Sequence, residues 1–108
     1  MAQVTYREFA KLDLRVGTIE KVEPVPGTDK LYKLTVNLGK ERRIIVSGIR
    51  DVYDIADLHG RQIVVIANLE PKVIKGVESQ GMLLAADDGK RLALIIPDKR
   101  VEDGAKVL

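Results

Sequence analysis

Apolar and polar residues alternate with a period of two through most of this chain, and glycine and proline cut the alternation into short pieces. A period of two belongs to strands with one buried face; an amphipathic helix needs its apolar positions every three to four residues. Short strands are therefore the expected building blocks. Leu12 to Val22 reads as a long first strand, with Leu12, Leu14 and Val16 facing one way. Beyond Gly17 the phase shifts to Ile19, as a bulge or a barrel bend requires. Pro24, Pro26 and Gly27 end that strand, because proline has no amide to give to a ladder. The second strand, Lys30 to Leu38, sets Tyr32, Leu34, Val36 and Leu38 on one face and Lys33, Thr35 and Asn37 on the other. Its alternation makes Tyr32 a core residue. Leu38 to Glu41 then turns the chain into a third strand, Arg42 to Ser47.

Two segments break the pattern towards helix. Residues 5 to 11 suit one helical turn, with Thr5 and Glu8 at the capping-box spacing. Residues 50 to 59 suit a short helix with Asp51 as its cap and Gly60 just past its end. A fourth strand, Gln62 to Ala67, is almost wholly apolar and is expected to be buried on both sides. Residues 68 to 81 form the longest irregular stretch, interrupted by Pro71, Gly76 and Gly81, and loops of this length in small domains are commonly functional. Met82 to Ala86 and Arg91 to Ile96 follow as strands around the turn Asp87 to Lys90. A turn-rich stretch from Pro97 to Gly104 and a short tail end the chain.

Three strands, a short helix and two or three more strands is the order of an all-β, five-stranded Greek-key barrel of the oligonucleotide-binding (OB) type. The helix falls between strands three and four, and short extra elements lie at both ends. With 108 residues, 1–108 is expected to be a single domain. In such a barrel, ligands lie across strands two and three, flanked by the loops after strands one and four.

Charge falls on that same face. Residues 30 to 43 carry Lys30, Lys33, Lys40, Arg42 and Arg43 against the single acid Glu41, in a chain whose net charge is only +2. Such a stripe is the footprint of a polyanion site, although a solvated face of lysines would look the same. Only four aromatics are present, Tyr6, Phe9, Tyr32 and Tyr53, too few for a groove that stacks the bases of a bare single strand. Recognition of a folded RNA by shape, through phosphates and 2′-hydroxyls, fits the composition better. Within the 68–81 loop, Lys72 and Lys75 offer charge, and Asn68 and Ser79 offer hydrogen bonds. Asn68 reads first as a pin for the loop backbone. Met82 serves equally as a core filler or as a thioether packed on a sugar or base.

Other chemistries are poorly represented. The absence of cysteine rules out disulfides, thiolate zinc sites and cysteine nucleophiles. His59 stands alone at a helix end, and Asp87 and Asp88 sit where a turn wants aspartate, so neither supplies a catalytic pair. No phosphate-cradling loop, nucleophile elbow or metal-ligand spacing is present, so neither an enzyme nor a cofactor is expected. The longest apolar runs are strand-sized, and the N-terminal residues include Arg7 and Glu8 with no apolar signal core. A cytoplasmic protein without a membrane span is the expectation.

The strings FAKLDLRVGTI (9–19), GTDKLYKLTVNLG (27–39), RIIVSGI (43–49), VVIANLEPKVIKGVESQGMLLAA (64–86) and LIIPD (94–98) resemble the OB-fold tRNA-binding domain family. That family comprises the C-terminal domain of methionyl-tRNA synthetase, its separate archaeal beta subunit and a free-standing tRNA-binding protein. The resemblance covers nearly the whole chain. It implies a homodimer, paired through the C-terminal half from about Leu83 onward, that grips the outside corner of L-shaped tRNA. Such a protein acts in trans on behalf of a synthetase, with methionyl-tRNA synthetase as the implied partner. Position by position, the family's tRNA-binding residues fall on Lys30, Lys33, Arg42, Asn68, Lys72, Ser79 and Met82. A sister branch, the CsaA export chaperones, shares the fold but binds unfolded polypeptide. The intact strings SGI at 47–49 and SQGM at 79–82 favour the tRNA branch.

Overall fold

A computed structural model of the chain describes all 108 residues. A one-turn helix α1 (Tyr6–Phe9) precedes three antiparallel strands, β1 (Leu14–Pro24), β2 (Tyr32–Asn37) and β3 (Arg42–Ser47). A second single turn, α2 (Ile55–Leu58), leads to β4 (Gln62–Ile66). The short strands β5 (Lys72–Ile74), β6 (Val77–Ser79), β7 (Met82–Leu83), β8 (Ala85–Asp87) and β9 (Leu92–Leu94) follow. The main sheet runs β3-β2-β1-β4-β7, the order of the expected Greek-key barrel, with the helix between the third and fourth strands.

The first strand serves both halves of the barrel. Its start pairs with β4, from Leu14 opposite Ile66 to Thr18 opposite Gln62, and its end pairs with β2, from Thr18 opposite Asn37 to Pro24 opposite Tyr32. Handing over from one neighbour to the other demands a sharp bend, and Gly17 sits at it. A Cβ there would lie 2.6 Å from Val36 Cγ1, 2.7 Å from Leu38 Cδ2 and 2.9 Å from the Asn37 carbonyl oxygen. The register slips just beyond, between Ile19 and Lys21, as a bulge. Leu14 and Val16 are buried outside the main core cluster, whereas Ile19 and Val22 lie inside it. The shift of phase at Gly17 is thus the passage from one buried surface to another.

Leu34, Val36 and Ile45 from β2 and β3 meet Ile63 and Val65 from β4 in the barrel interior, with Leu58 of α2 fully buried beneath them. Tyr32 joins this core and donates its hydroxyl to the Tyr53 carbonyl at 2.9 Å, as a buried phenol must find a partner. Residues Gln62 to Val65 are all buried, as the apolar run implied. The tail lies along the part of β1 that β2 has left free. Gly104 donates to the Val16 carbonyl, Val16 to that of Ala105, and Val107 to that of Leu14.

Three local expectations need correction. The second helix is a single turn that starts after Asp54, not Asp51, and the Asp57 carboxylate accepts the Asp54 amide. Residues 68 to 81 are not irregular: β5 and β6 pair as a hairpin, Lys72 opposite Ser79 and Ile74 opposite Val77. The strand expected from Met82 to Ala86 divides at Leu84, because Met82 and Leu83 pair with β4 while Ala85 to Asp87 pair with β9.

Candidate nucleic-acid interface

Antiparallel partners project to the same side of a sheet, so register alone builds the outward face of β1–β3. Lys33 lies opposite Val46 and Glu23, Thr35 opposite Ile44 and Lys21, and Asn37 opposite Arg42. Lys33 and Arg42 therefore share this face, at its two ends. Lys30 is exposed in the loop after β1, a loop held from below by Arg50. The Arg50 amide donates to the Lys30 carbonyl at 3.1 Å, and its guanidinium to the Thr28 carbonyl at 2.6 Å.

The cations on this side are not equivalent. Arg42 is clamped by Glu20, with Nε 2.6 Å from Oε1, and Asn37 donates to the other carboxylate oxygen at 3.1 Å. The hydrogen bond from Arg42, joined by that from Asn37, holds the Glu20 carboxyl below its ordinary range and raises the already high pKa of the guanidinium. Arg43 turns the other way. It donates to the carbonyls of Ala67 and Gln80 and pairs with Glu41 at 2.8 Å, so it braces the barrel rather than facing outward. Lys30, Lys33, Lys40, Lys72 and Lys75 form no ion pair at all.

Side chains complete the barrel where strands do not. The Gln80 amide donates to the Ile44 carbonyl at 2.7 Å, and the Ile44 amide donates back to Gln80 Oε1 at 3.0 Å. Two residues on, Val46 donates to Ser79 Oγ at 3.0 Å, and that hydroxyl donates to the Gly81 carbonyl at 3.1 Å. Ser79 is 5% exposed, with both hydrogen-bonding capacities engaged inside the protein. These bonds root the β5–β6 hairpin on β3, making it a fixed arm beside the cationic face. Gly81 follows with φ of 146°, its backbone too close to the Ile66 carbonyl to admit a side chain.

Of the seven residues singled out from sequence, Lys33 and Arg42 share the outward face of β2 and β3, Lys30 is exposed in the loop after β1, Lys72 is exposed on the arm, and Met82, 45% exposed, lies opposite Ile66. Asn68 is drawn to the N-terminal segment, its Oδ1 accepting from the Asp13 amide at 2.8 Å and its Nδ2 donating to the Lys11 carbonyl at 2.7 Å. Ser79 is sealed in the seam. Sequence reasoning missed Gln80 and Arg50, whose work is local bonding to backbone and leaves no signature in composition or spacing. A depression of about 460 Å³ mixes Arg15 and Lys40 with Asp13, Glu41 and Asp103 and has no single-sign field. No group of three His, Cys, Asp or Glu side chains is placed to hold a metal, and no helix is long and apolar enough to cross a membrane.

A nearly closed five-stranded barrel with one helix turn before its fourth strand, a cationic outer sheet and a rooted arm defines an OB-fold binding domain. The chain belongs to the family of tRNA-binding domains: the family model described as "Putative tRNA binding domain" matches residues 14–106. It is 53% identical over 107 residues to the methionine–tRNA ligase of Pyrococcus furiosus, an alignment covering 99% of this chain and 15% of that protein. The methionine–tRNA ligase of Nanoarchaeum equitans is 49% identical over 104 residues, or 96% of this chain and 13% of the relative. The chain thus spans about 15% of the length of these relatives.

Among solved structures, a MetRS-related protein from Pyrococcus horikoshii superposes with a TM-score of 0.94 and 39% identity, each chain covered in full. The chaperone CsaA of Bacillus anthracis gives 0.89 and 28%, covering 99% of this chain and all of that one. The family match makes this a binding domain and not a catalytic one.

Proposed function

We propose that the domain binds tRNA by its folded shape, gripping the outside corner of the L between the outer face of β1–β3 and the β5–β6 arm. The observation that supports this is that Lys30 in the loop after β1, Lys33 on the outward face of β2 and Lys72 on a hairpin bonded to β3 all lack an ion pair. Phosphates meeting such a surface release counterions, and a rigid outline selects a folded RNA over a flexible one. Lys30, Lys33, Lys72 and Met82 are the direct contacts in this reading. Arg42 joins them by exchanging Glu20 for a phosphate, while Asn68 and Ser79 act by holding the surface in shape. Filter binding of tRNA across a range of salt tests this: Lys33→Ala should weaken binding and lower the salt slope by about one unit. An unchanged slope would remove Lys33 from the site.

In this reading the domain works in the cytoplasm for an aminoacyl-tRNA synthetase, methionyl-tRNA synthetase first, raising that enzyme's hold on its substrate. Support comes from the likeness to methionine–tRNA ligases over nearly the whole chain. It acts as a homodimer joined through the C-terminal half, for which the exposed Ile95 and Ile96 and the chain end at Leu108 supply apolar surface. A second reading, a chaperone that holds unfolded polypeptide, is favoured by the likeness to CsaA. Its sign would be suppression of client aggregation that excess tRNA fails to compete away.

A further inference from the structure

Lys75 and Gly76 make the whole connection between β5 and β6, since Ile74 and Val77 on either side are the last pair of the ladder. Both loop residues have positive φ, 50° and 81°. That is the signature of a type I′ turn, which matches the twist of a hairpin and favours Asn or Asp followed by Gly. Lysine is a poor choice for the first position. In the left-handed region its Cβ crowds the following carbonyl, and it lacks the short polar group that lets asparagine compensate by local hydrogen bonding. Lys75 is the only residue other than glycine in this chain with positive φ.

Nothing in the fold asks for a lysine there. Its side chain is exposed and forms no ion pair. A Cβ on the adjacent Gly76 would meet nothing within 4 Å, so the tip of the arm stands clear in solvent. An outlying backbone at an exposed position that packing does not impose is a ground for asking what its side chain does. The arm beneath is bonded to β3 through Ser79 and Gln80, which ties the turn bearing Lys75 to the strand that pairs with Lys33.

We infer that Lys75 is a phosphate contact at the tip of the arm, reaching a part of the folded RNA that the sheet itself does not touch. This rests on the tRNA-binding reading above. Stability and binding should move in opposite directions on substitution, which separates this role from a structural one. Lys75→Asn installs the residue the turn prefers, so Tm should rise by a few degrees. The same variant should bind tRNA several-fold more weakly, with a salt slope lower by about one unit. Lys75→Arg keeps the charge and the strain and should bind like the unmodified protein.

Affinity and slope unchanged in Lys75→Asn would overturn the inference, as would an equal loss in Lys75→Arg. If the unmodified protein binds with a clear salt slope and Lys33→Ala lowers it, but Lys75→Asn does not, this inference alone falls. Absence of salt-dependent tRNA binding in the unmodified protein would instead remove the reading on which it rests.

Discussion

Ser79 stands in for a strand partner of Val46. Its hydroxyl oxygen accepts the Val46 amide at 3.0 Å, and its proton goes to the Gly81 carbonyl at 3.1 Å, so one side chain both closes the barrel and anchors the arm.

Ser79→Ala removes the acceptor and leaves a buried amide without a partner. Such a group costs about 1–3 kcal/mol, and the urea midpoint should fall accordingly. Hydrogen exchange should localise the loss: the Val46 amide and the amides of β5–β6 speed up, while the other amides of β1–β4 keep their protection. Uniform loosening of the whole barrel would show that the seam is not a local device.

In the proposed reading, Glu20 competes with RNA for Arg42. The Nε–Oε1 separation of 2.6 Å, with Asn37 on the second oxygen, is a good geometry for a charge-assisted hydrogen bond. Glu20→Gln should release the guanidinium, tighten tRNA binding several-fold and steepen its salt dependence. Weaker binding in that variant would mean that Glu20 positions Arg42 for the ligand rather than withholding it.

The same pair gives a pH dependence whose sign can be stated. Hydrogen bonding to Arg42 lowers the Glu20 pKa in the folded state. Its stabilisation is therefore present above the carboxyl's unfolded pKa and is lost as pH falls through the lowered folded one. Asp88, lowered by the amides of Arg91 and Lys90, acts in the same direction. Denaturation midpoints of the unmodified protein and Glu20→Gln should differ near neutral pH and converge as pH falls through the lowered folded value, below the unfolded glutamate value of about 4.3. A constant gap across that range would contradict the assignment.

Much of this was legible in the chain because period two is unambiguous where a strand has one wet face. Tyr32, Leu34 and Val36 are buried and Lys33, Thr35 and Asn37 are less so, as the alternation required. Asp87 and Asp88 take the amides of Gly89, Lys90 and Arg91, as turn aspartates do. The capping box of Thr5 and Glu8 forms as well.

What stayed hidden has physical causes. Strands of three residues carry too few alternations to register, and Lys75-Gly76 lacks the asparagine that advertises a hairpin turn. Arg43 reads as part of a cationic stripe, yet β3 is close to the barrel's end there, and its guanidinium can fold inward to the Ala67 and Gln80 carbonyls. Ser79 and Asn68 match their family motif and are engaged by their own backbone, a distinction that spacing cannot carry.

Gly104 is a further consequence of the tail's path. Its φ is 89°, and a Cβ would land on the Leu38 carbonyl oxygen. Gly104→Ala should lower stability by about 1–3 kcal/mol through overpacking, read from thermal or urea unfolding. It should leave the salt slope of RNA binding unchanged at temperatures where the protein is folded, because the tail lies along β1 and carries no proposed contact.

The central claim is that a cationic sheet and a rigid arm recognise the shape of a folded RNA. Competition in the salt titration tests it most directly, with folded tRNA set against an unstructured RNA of the same length. Affinity for tRNA should fall linearly on logarithmic axes as salt rises, and the unstructured competitor should displace it only at large excess. A flat salt response, or equal competition by the two RNAs, would contradict the account.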